Sequence, residues 1–499
     1  MAARKSVVLI TVDCLRADHC GFMGYSRPAT PFLDGLADES FVFPAATVAG
    51  VPTYYSFPAI MASRYPLALG REIIGLAPEE KTLASVLKEN GYATAFFGAG
   101  NPYLSGRFGY EFGFDTFRDF LDDLTPLSDP DNTPIKHPGW ARSVNGVLAS
   151  ASRRIPGIGA VYDELYFRYC QRQAAPAQSL DLLRRFPAAD VIVDQARSWL
   201  ASTGENPLFL WLHFMDPHSP YYPTEGGLRV FGVNSLTPSQ ARYLNAYWNR
   251  FDIGTERLLF LRDQVVAMYD SAIRWVDTQL SRLVEVLRQF KLWDNCLFVL
   301  TADHGEEFLE HDRRYHAPSL AEELIHVPLF LRVPGAKKRA VSSNAFSLLH
   351  LAPTLLAAAD LPIPMEFQGQ NHWKHVQEGT TWHEPAISEC IVRCTNPFNP
   401  EQRRGSRLLS VREAQYKLVL NFDTGAESMY DLAADGEEHA PLSNAAAKPE
   451  RRRLLQAALT HLRTSSTRQP SVAYLRARMR DIALNPGRAA ATTSSIATS

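Results

Sequence analysis

The sequence predicts an α/β protein built on a large, mostly parallel sheet with helices on both faces. Apolar runs of strand length alternate with amphipathic helical segments, which is the pattern of such folds. The runs at residues 6–12, 207–214 and 296–300 contain few polar residues, as expected of strands that are covered on both faces. The chain has 499 residues and 46% of them are hydrophobic, so it can form one large domain and one smaller domain.

The predicted elements follow one another in an order that favours parallel strands. Residues 6–12 are rich in β-branched side chains and form the first strand. Residues 82–91 predict an amphipathic helix that ends at a glycine, and residues 93–98 predict the strand after it. The helix predicted at residues 269–290 has apolar positions at helical spacing and leads into the strand at residues 296–300. No internal repeat interrupts this alternation.

Residues 1–375 are predicted to form the larger domain, with two irregular insertions. These lie near residues 121–190, which are rich in Pro, Ser and Arg, and near residues 224–262, which contain many aromatic residues. Insertions of this kind between sheet elements are typical of lids and of walls that decide specificity. A membrane-surface role for the segment around Trp140 is the less favoured interpretation of the first insertion.

Residues 376–470 are predicted to form a C-terminal antiparallel-sheet subdomain. Its expected elements are strands near residues 386–392, 416–420 and 429–432 and a helix near residues 449–463. The last segment, residues 471–499, has the composition of a disordered tail.

Charge and cysteine content narrow the classes of function. The formal net charge is −2, so we expect no nucleic-acid partner. No signal peptide and no transmembrane stretch is recognisable, which predicts a cytoplasmic protein. The six cysteines lack the paired spacing of a zinc site, and we interpret them as buried free thiols. The oligomeric state cannot be read from these features.

Two predicted strands each end in an aspartate. Asp303 and His304 follow the strand at residues 296–300, and Asp13 follows the strand at residues 6–12. Carboxyl ends of parallel strands meet at one edge of a sheet, where ligands and metals bind. Carboxylate and imidazole together suit a divalent cation such as Zn²⁺ or Mn²⁺, although Asp303 taken alone is better explained as a helix cap.

A set of motifs resembles the sulfatase family of the alkaline-phosphatase superfamily. Each motif alone is weak, but they cover most of the chain in the order of the family. They lie at residues 12–19, 27–37, 52–66, 213–220, 301–310, 327–329, 351–356 and 429–432. The resemblance implies an alkaline-phosphatase-like fold, in which a smaller C-terminal α+β subdomain packs against the main sheet.

The resemblance also implies a site with one divalent metal ion, held by Asp13, Asp303, His304 and the nucleophile. The nucleophile position falls on Thr53, where typical sulfatases have a Cys or Ser that is oxidised to formylglycine. Tyr55 and Phe57 replace the Pro and Arg of that motif. Because threonine cannot form the same aldehyde hydrate, formylglycine is unlikely, and we expect a metal-activated alkoxide of Thr53 instead.

Cys14 and Ser56 are secondary candidates in this site. Cys14 stands where many sulfatases have a second aspartate, and we interpret it as a small buried residue or a soft ligand. With fewer hard oxygens, the site favours Zn²⁺ or Mn²⁺, while Ca²⁺ or Mg²⁺ stays possible. Ser56 is the weaker nucleophile candidate and fits better as a helix cap.

Histidines supply the predicted acid and the predicted contact to the ester. His218 lies in a Pro-containing turn and is predicted to protonate the leaving alkoxide, whereas His213 is either a second candidate or an ordinary strand residue. The resemblance implies a basic residue near His316 that contacts the ester group, and we include His316 among the predicted catalytic residues. Asp216 is expected to cap the turn or to bind a second metal. The basic side chains that could assist with anionic oxygens are Arg313 and Arg314.

These features together predict a hydrolase that cleaves a sulfate or a phosphate/phosphonate ester by attack of Thr53. The expected substrate is the ester of a small molecule, a glycan or a lipid head group. A phospho-group transferase of the same superfamily is the first alternative. A binding protein that has lost catalysis is the second alternative, but a retained metal shell disfavours it.

Overall fold

The structure is a computed structural model that describes residues 4–465, apart from residues 72, 123–157, 174–177, 205, 233–234, 337–338, 341–343 and 444–445. The expected disordered tail, most of the first insertion and the Trp140 segment therefore lie outside the described residues.

An eight-stranded sheet forms the centre of the molecule. In spatial order its strands are β11 (Arg339–Ala340), β2 (Ser40–Val42), β10 (Leu329–Arg332), β7 (Cys296–Ala302), β1 (Ser6–Val12), β6 (Leu208–Phe214), β4 (Ala93–Gly98) and β5 (Thr116–Arg118). All the pairs between neighbouring strands are parallel except those that β10 makes with β7 and β2. Every residue of β1, β6 and β7 is buried, because packing covers both faces of the sheet. The predicted mostly parallel sheet is thus confirmed.

Helices flank this sheet. The described α-helices are Pro31–Ala37, Thr53–Ala62, Leu83–Glu89, Ile158–Gln173, Ala189–Ser202, Glu225–Phe231, Pro238–Trp248, Thr255–Gln289, Glu322–Ile325, Leu351–Ala358, Trp373–Glu378, Pro400–Arg403 and Lys448–Thr464. Much of the segment near residues 224–262, which we predicted to be irregular, is helical. The helix Thr255–Gln289 also begins well before residue 269, and it packs against the helices Ala189–Ser202, Glu225–Phe231 and Pro238–Trp248.

A smaller antiparallel sheet follows in the chain. Its strands, in order, are β13 (Ala386–Ile391), β14 (Arg407–Glu413), β15 (Tyr416–Asn421) and β16 (Glu427–Asp431). The helix Lys448–Thr464 packs on β14 and β15. This arrangement confirms the predicted smaller subdomain, although β14 was not among the predicted strands. Two short pairs, β3 (Ala46–Thr47) with β12 (Phe346–Ser347) and β8 (Glu307–Phe308) with β9 (Arg314–Tyr315), complete the strands. Within the described chain, every helix is too short or too polar to cross a bilayer.

A buried ion-pair cluster joins the smaller sheet to the larger domain. Glu322 contacts Arg412 and accepts a hydrogen bond from Lys417 Nζ at 3.1 Å, and Lys417 is fully buried. Lys417 Nζ also lies 2.8 Å from Glu438 Oε1. Burial opposes the charge of Glu322, but the positive charges of Arg412 and Lys417 outweigh burial and lower its pKa to about 2.

Replacing Glu322 with Gln is expected to lower the free energy of unfolding by about 3–5 kcal/mol, because it leaves buried positive charges without their partner. Because the folded-state pKa lies below 4.5, the stabilisation by Glu322 is complete above about pH 4.5 and is lost as the pH falls towards 2. Urea unfolding at pH 7 and at pH 3 measures both effects. The control Glu437→Gln removes an exposed carboxylate and is expected to change stability by less than about 0.5 kcal/mol. Equal stability of the two variants would contradict this expectation.

Candidate active site

The strand register brings Asp13 and Asp303 to one edge of the sheet. Val12 of β1 pairs with Ala302 of β7 and with Phe214 of β6. Asp13 and Asp303 each follow the last residue of their strand, so both side chains emerge at the carboxyl edge. Both are fully buried. One ligand atom from each of Asp13, Asp303 and His304 lies within 4.8 Å of the other two. The structure therefore brings together the three residues expected to hold a metal.

Two neighbours orient the Asp13 carboxylate. Asn101, which follows β4, donates a hydrogen bond from Nδ2 to Asp13 Oδ2 at 2.8 Å. His213 Nε2 lies 3.4 Å from the same oxygen, and its Nδ1 is 2.9 Å from the Thr11 hydroxyl. Burial opposes the negative charge, but His213, His218 and His304 outweigh burial and hold the pKa of Asp13 well below its usual value. Asp13 is thus ionised and available to a cation.

His304 has the tautomer of a metal ligand. Its Nδ1–H donates to the carbonyl oxygen of Gly305 at 2.9 Å, so the Nε2 lone pair points into the cluster. Nε2 lies 3.5 Å from Asp303 Oδ2 and 3.9 Å from Asp13 Oδ1. Asp303 Oδ2 is buried without a hydrogen-bond partner, and burial together with the charge of Asp13 raises the pKa of Asp303. Two close carboxylates and an imidazole lone pair directed at them are an arrangement that a divalent cation stabilises.

Thr53 is the first residue of the helix Thr53–Ala62, and its hydroxyl reaches this cluster. The Thr53 hydroxyl donates to His304 Nε2 at 3.2 Å, and the side chain is buried. The amides of the first helical turn point towards this end of the helix, where they favour negative charge. The arrangement therefore favours an oxyanion at Thr53 and negative charge on a group bound next to it.

His316 faces the cluster and is held by Glu306. The distance between His316 Nδ1 and Glu306 Oε2 is 3.1 Å, and Tyr221 donates to the other carboxylate oxygen at 2.9 Å. The ring centroids of His304 and His316 are 4.6 Å apart. Burial disfavours the charged imidazole, but Glu306, Asp13 and Asp303 outweigh burial and raise the pKa of His316 to about 9. With that pKa, His316 carries a proton at neutral pH.

His218 and Cys14 complete the wall of the site. The ring centroid of His218 lies 5.0 Å from that of His316, and His218 Nδ1–H donates to the carbonyl of Ser219. Burial lowers the pKa of His218. The Cys14 thiol lies 3.0 Å from Asp13 Oδ1 and 3.5 Å from His316 Nδ1. Both residues therefore offer atoms to the same space as Asp13.

Several other candidates have different partners in the structure. Asp216 accepts hydrogen bonds from Arg184 and from the amide of Ala189, at the start of the helix Ala189–Ser202. These contacts join Asp216 to another helix, which differs from both expected roles, capping of its own turn and binding of a second metal. Arg313 donates to the Ser319 hydroxyl, and Arg314 donates to the carbonyl of Arg250. Ser56 lies in the first turn of its helix, and its hydroxyl is buried without a hydrogen bond.

Asn101 and Glu306 were not assigned from the sequence. Asn101 comes three residues after the end of β4, so the rule that identified Asp13 and Asp303 could also have identified it. Glu306 lies in the stretch at residues 301–310, but its role depends on His316 folding back towards it, and the sequence does not encode that contact in any local pattern.

Comparison with known proteins gives one consistent result. The family model described as Sulfatase matches residues 5–361. A second model, described as N-sulphoglucosamine sulphohydrolase, C-terminal, matches residues 307–465. Arylsulfatase K of Bos taurus is 25% identical over 292 residues, which cover 51% of each chain. The chain thus spans about half the length of this curated relative.

Solved structures share the fold along almost the whole chain. Phosphonate monoester hydrolase of Agrobacterium radiobacter has a TM-score of 0.64 at 20% identity, and the match covers 92% of this chain and 95% of that chain. A protein solved in complex with its substrate D-glucosamine-2-N,6-O-disulfate has a TM-score of 0.65 at 16% identity, with coverage of 94% and 99%. Because the sequence identities are only 20% and 16%, these similarities show a shared fold.

Proposed function

Because the chain belongs to the sulfatase family of the alkaline-phosphatase superfamily, we propose that it is a hydrolase of sulfuric or phosphoric esters, including phosphonate esters, that uses Thr53 as its nucleophile. The observation that carries this proposal is the position of the Thr53 hydroxyl, 3.2 Å from His304 Nε2 at the start of a helix. The hydroxyl lies beside two buried carboxylates that belong to strand ends. Nucleophile, metal ligands and helix terminus thus converge on one point.

The donor set fits a divalent metal ion. Asp13, Asp303 and His304 would hold the ion, together with Thr53 Oγ1, and the buried Asp303 Oδ2 without a hydrogen-bond partner supports this assignment. Such an ion would acidify the Thr53 hydroxyl and offset negative charge on the ester oxygens. The nearby Cys14 and the imidazoles favour Zn²⁺ or Mn²⁺ over Ca²⁺ or Mg²⁺.

We propose that Thr53 acts without modification to formylglycine. Threonine has a methyl group on Cβ, so its oxidation would give a ketone instead of an aldehyde. The position that holds an Arg in typical sulfatases is occupied here by Phe57, which is buried and packs on Trp211 and His213 with ring centroids 5.4 Å and 5.3 Å away. Tyr55 is buried as well. Aromatic packing has therefore replaced the polar support that the modified residue would need.

The ordinary hydroxyl favours phosphorus over sulfur as the attacked atom. After Thr53 Oγ1 attacks, the bond to the leaving alcohol breaks and the group stays esterified to Thr53. A formylglycine hydrate has a second hydroxyl on the same carbon that can expel sulfate, whereas threonine has none. Water must then attack the central atom, which is a normal step for a phospho-enzyme. The fold shared with a phosphonate monoester hydrolase is consistent with this preference.

His316 is better suited than His218 to protonate the leaving alkoxide. The pKa of His316 is raised to about 9 by Glu306, while burial lowers that of His218. A general acid must carry its proton at the working pH. We therefore assign the acid role to His316, with Glu306 as its positioning partner, and we assign His218 to contact with the anionic group or the ion.

His316→Gln is expected to lower kcat/KM by roughly 10²-fold or more on an ester with an alkyl leaving group. The expected loss is much smaller on a nitrophenyl ester, because nitrophenolate leaves without protonation. The measurement compares both leaving groups on one phosphonate or phosphate series. His218→Gln is the matched control and is expected to lower both rates by a similar factor. An equal loss on both esters in His316→Gln would remove the acid role from this residue.

A substrate panel tests the reaction class. Purified protein is assayed on nitrophenyl sulfate, phosphate monoester, phosphate diester and phosphonate monoester, with and without an added alcohol. We expect hydrolysis of at least one phosphorus ester to exceed that of the sulfate ester. Transfer to the alcohol at the expense of hydrolysis would support the transferase alternative. No turnover of any ester by protein that contains its metal would support the alternative of a binding protein and contradict the proposal.

A further inference from the structure

A second group of metal-ligating side chains lies outside the site already described. It consists of His311, Glu323, Glu438 and Glu307, which we call the His311 cluster. One ligand atom from each of His311, Glu323 and Glu438 lies within 4.8 Å of the other two, and His311 Nε2 is 3.1 Å from Glu323 Oε1. Glu307 interacts electrostatically with both His311 and Glu323. Three parts of the chain that are distant from one another therefore meet at this point.

Two carboxylates of the His311 cluster, those of Glu307 and Glu323, are buried without hydrogen bonds, whereas Glu438 accepts one from the amide of Glu322 and pairs with Lys417. Glu307 is fully buried, and neither of its carboxylate oxygens has a hydrogen-bond partner. The Glu323 side chain is 6% exposed, and its two oxygens also lack hydrogen bonds. Burying an ionised carboxylate in this way costs several kcal/mol unless a proton or a cation compensates for it. His311 is a cationic partner of Glu323, and two such carboxylates beside one imidazole leave negative charge that a bound cation would offset.

The neighbouring basic side chains have other partners. Lys417 lies between Glu438 and Glu322, and Arg412 contacts Glu322. Arg313 is close enough to Glu307 to influence it, but its guanidinium donates to the Ser319 hydroxyl. Burial raises the pKa of Glu307 to about 8, so its charged form is unfavourable in the absence of a cation.

We propose that the His311 cluster is a second divalent-cation site, with a structural role. His311 Nε2 and the carboxylates of Glu323 and Glu438 are the ligands, and Glu307 lies close enough to interact electrostatically with His311 and Glu323. One imidazole with several carboxylates suits Zn²⁺ or Mn²⁺ better than Ca²⁺ or Mg²⁺. A cavity of about 710 Å³ that is lined by His311 and Glu438 provides a path for the ion.

This position explains what the ion would stabilise. Glu438 follows β16 of the smaller sheet, whereas Glu307 and His311 belong to the segment between β7 and His316. Glu307 is the neighbour of Glu306, which holds His316. An ion in the His311 cluster would thus tie the smaller subdomain to the segment that positions His316.

The test uses the full chain in an Asp303→Asn background, which weakens the metal site beside Thr53. Bound metal is measured by elemental analysis after equilibration with Mn²⁺ or Zn²⁺ and desalting, and thermal unfolding is followed with and without the ion. We expect Asp303→Asn to retain one ion and to unfold at a higher temperature when the ion is present.

Adding Glu323→Gln to this background is expected to remove both the ion and the thermal shift. Adding Glu437→Gln, an exposed carboxylate nearby, is the control and is expected to change neither.

His311→Ala in the same background is the second variant, because its side chain is partly exposed and its loss is less disruptive. Loss of the ion in either folded variant supports the proposal. It is overturned if Asp303→Asn binds no ion, or if its metal content and thermal shift are the same in both variants. Neither of those results would affect the assignment of Thr53, which rests on activity and on the Asp303 site.

Discussion

Thr53→Ala is expected to lower kcat/KM by about 10³-fold or more on every ester that the wild type cleaves. The methyl side chain has no oxygen to attack the central atom, so only binding and electrostatic effects of the site remain. The hydroxyl lies 3.2 Å from His304 Nε2, within the group of proposed metal ligands. Steady-state kinetics on the best ester of the panel measures the loss.

Thr53→Ser is the matched control for this prediction. Serine keeps the oxygen and loses only one methyl group, so most of the activity is expected to remain. The metal content of both variants is measured as well, because Thr53 is also a proposed ligand. If Thr53→Ala kept the activity of the wild type, Thr53 would have no place in the mechanism.

Asp303→Asn is expected to lower the affinity for the catalytic metal ion by more than about 100-fold. Mutation of residues that only hydrogen-bond to metal ligands already lowers metal affinity by about 10- to 100-fold. The change replaces a buried carboxylate oxygen that lacks a hydrogen-bond partner with a neutral amide. Activity at low metal concentration is expected to fall in parallel. Titration of apo-protein with Mn²⁺ and Zn²⁺, followed by activity, measures the shift of the midpoint.

Asp18→Asn is the control, because Asp18 lies in the same segment as Asp13 but is largely exposed and pairs with Arg16. Its titration midpoint is expected to match that of the wild type. Chelation of the wild type is expected to abolish activity, and the added ion is expected to restore it. Full activity of metal-free wild type would remove the metal from the proposal.

The edge of the sheet was predictable from the sequence because apolar runs mark buried strands. Val12 and Ala302 pair in register, so Asp13 and Asp303 had to meet once both strands entered one parallel sheet. The resemblance to the family added Thr53 and His316, which lie on elements remote from those strands. Local pattern and family resemblance together therefore pointed to Asp13, Asp303, Thr53 and His316, whereas Asn101 and Glu306 were not assigned.

Other features depend on tertiary contacts that no local pattern encodes. The segment before residue 269 looked irregular because its aromatic and charged residues have no clear alternation, yet it forms the first part of a 35-residue helix. Glu306 contacts His316 only because the chain folds back through β8 and β9. β14 was missed because only three of its seven residues, Leu408, Leu409 and Val411, are apolar, and its pairing with β13 and β15 decides its structure.

The central claim is that an unmodified Thr53 carries the transferred group. Mass spectrometry of the peptide that contains Thr53, before substrate and after acid quenching during turnover of a phosphorus ester, tests this claim most directly. Before substrate, we predict the mass of the encoded threonine. During turnover, we predict that part of the peptide gains the transferred phosphoryl or phosphonyl group and that fragmentation assigns it to Thr53. An oxidised residue 53, or rapid turnover with no adduct on Thr53, would contradict the account.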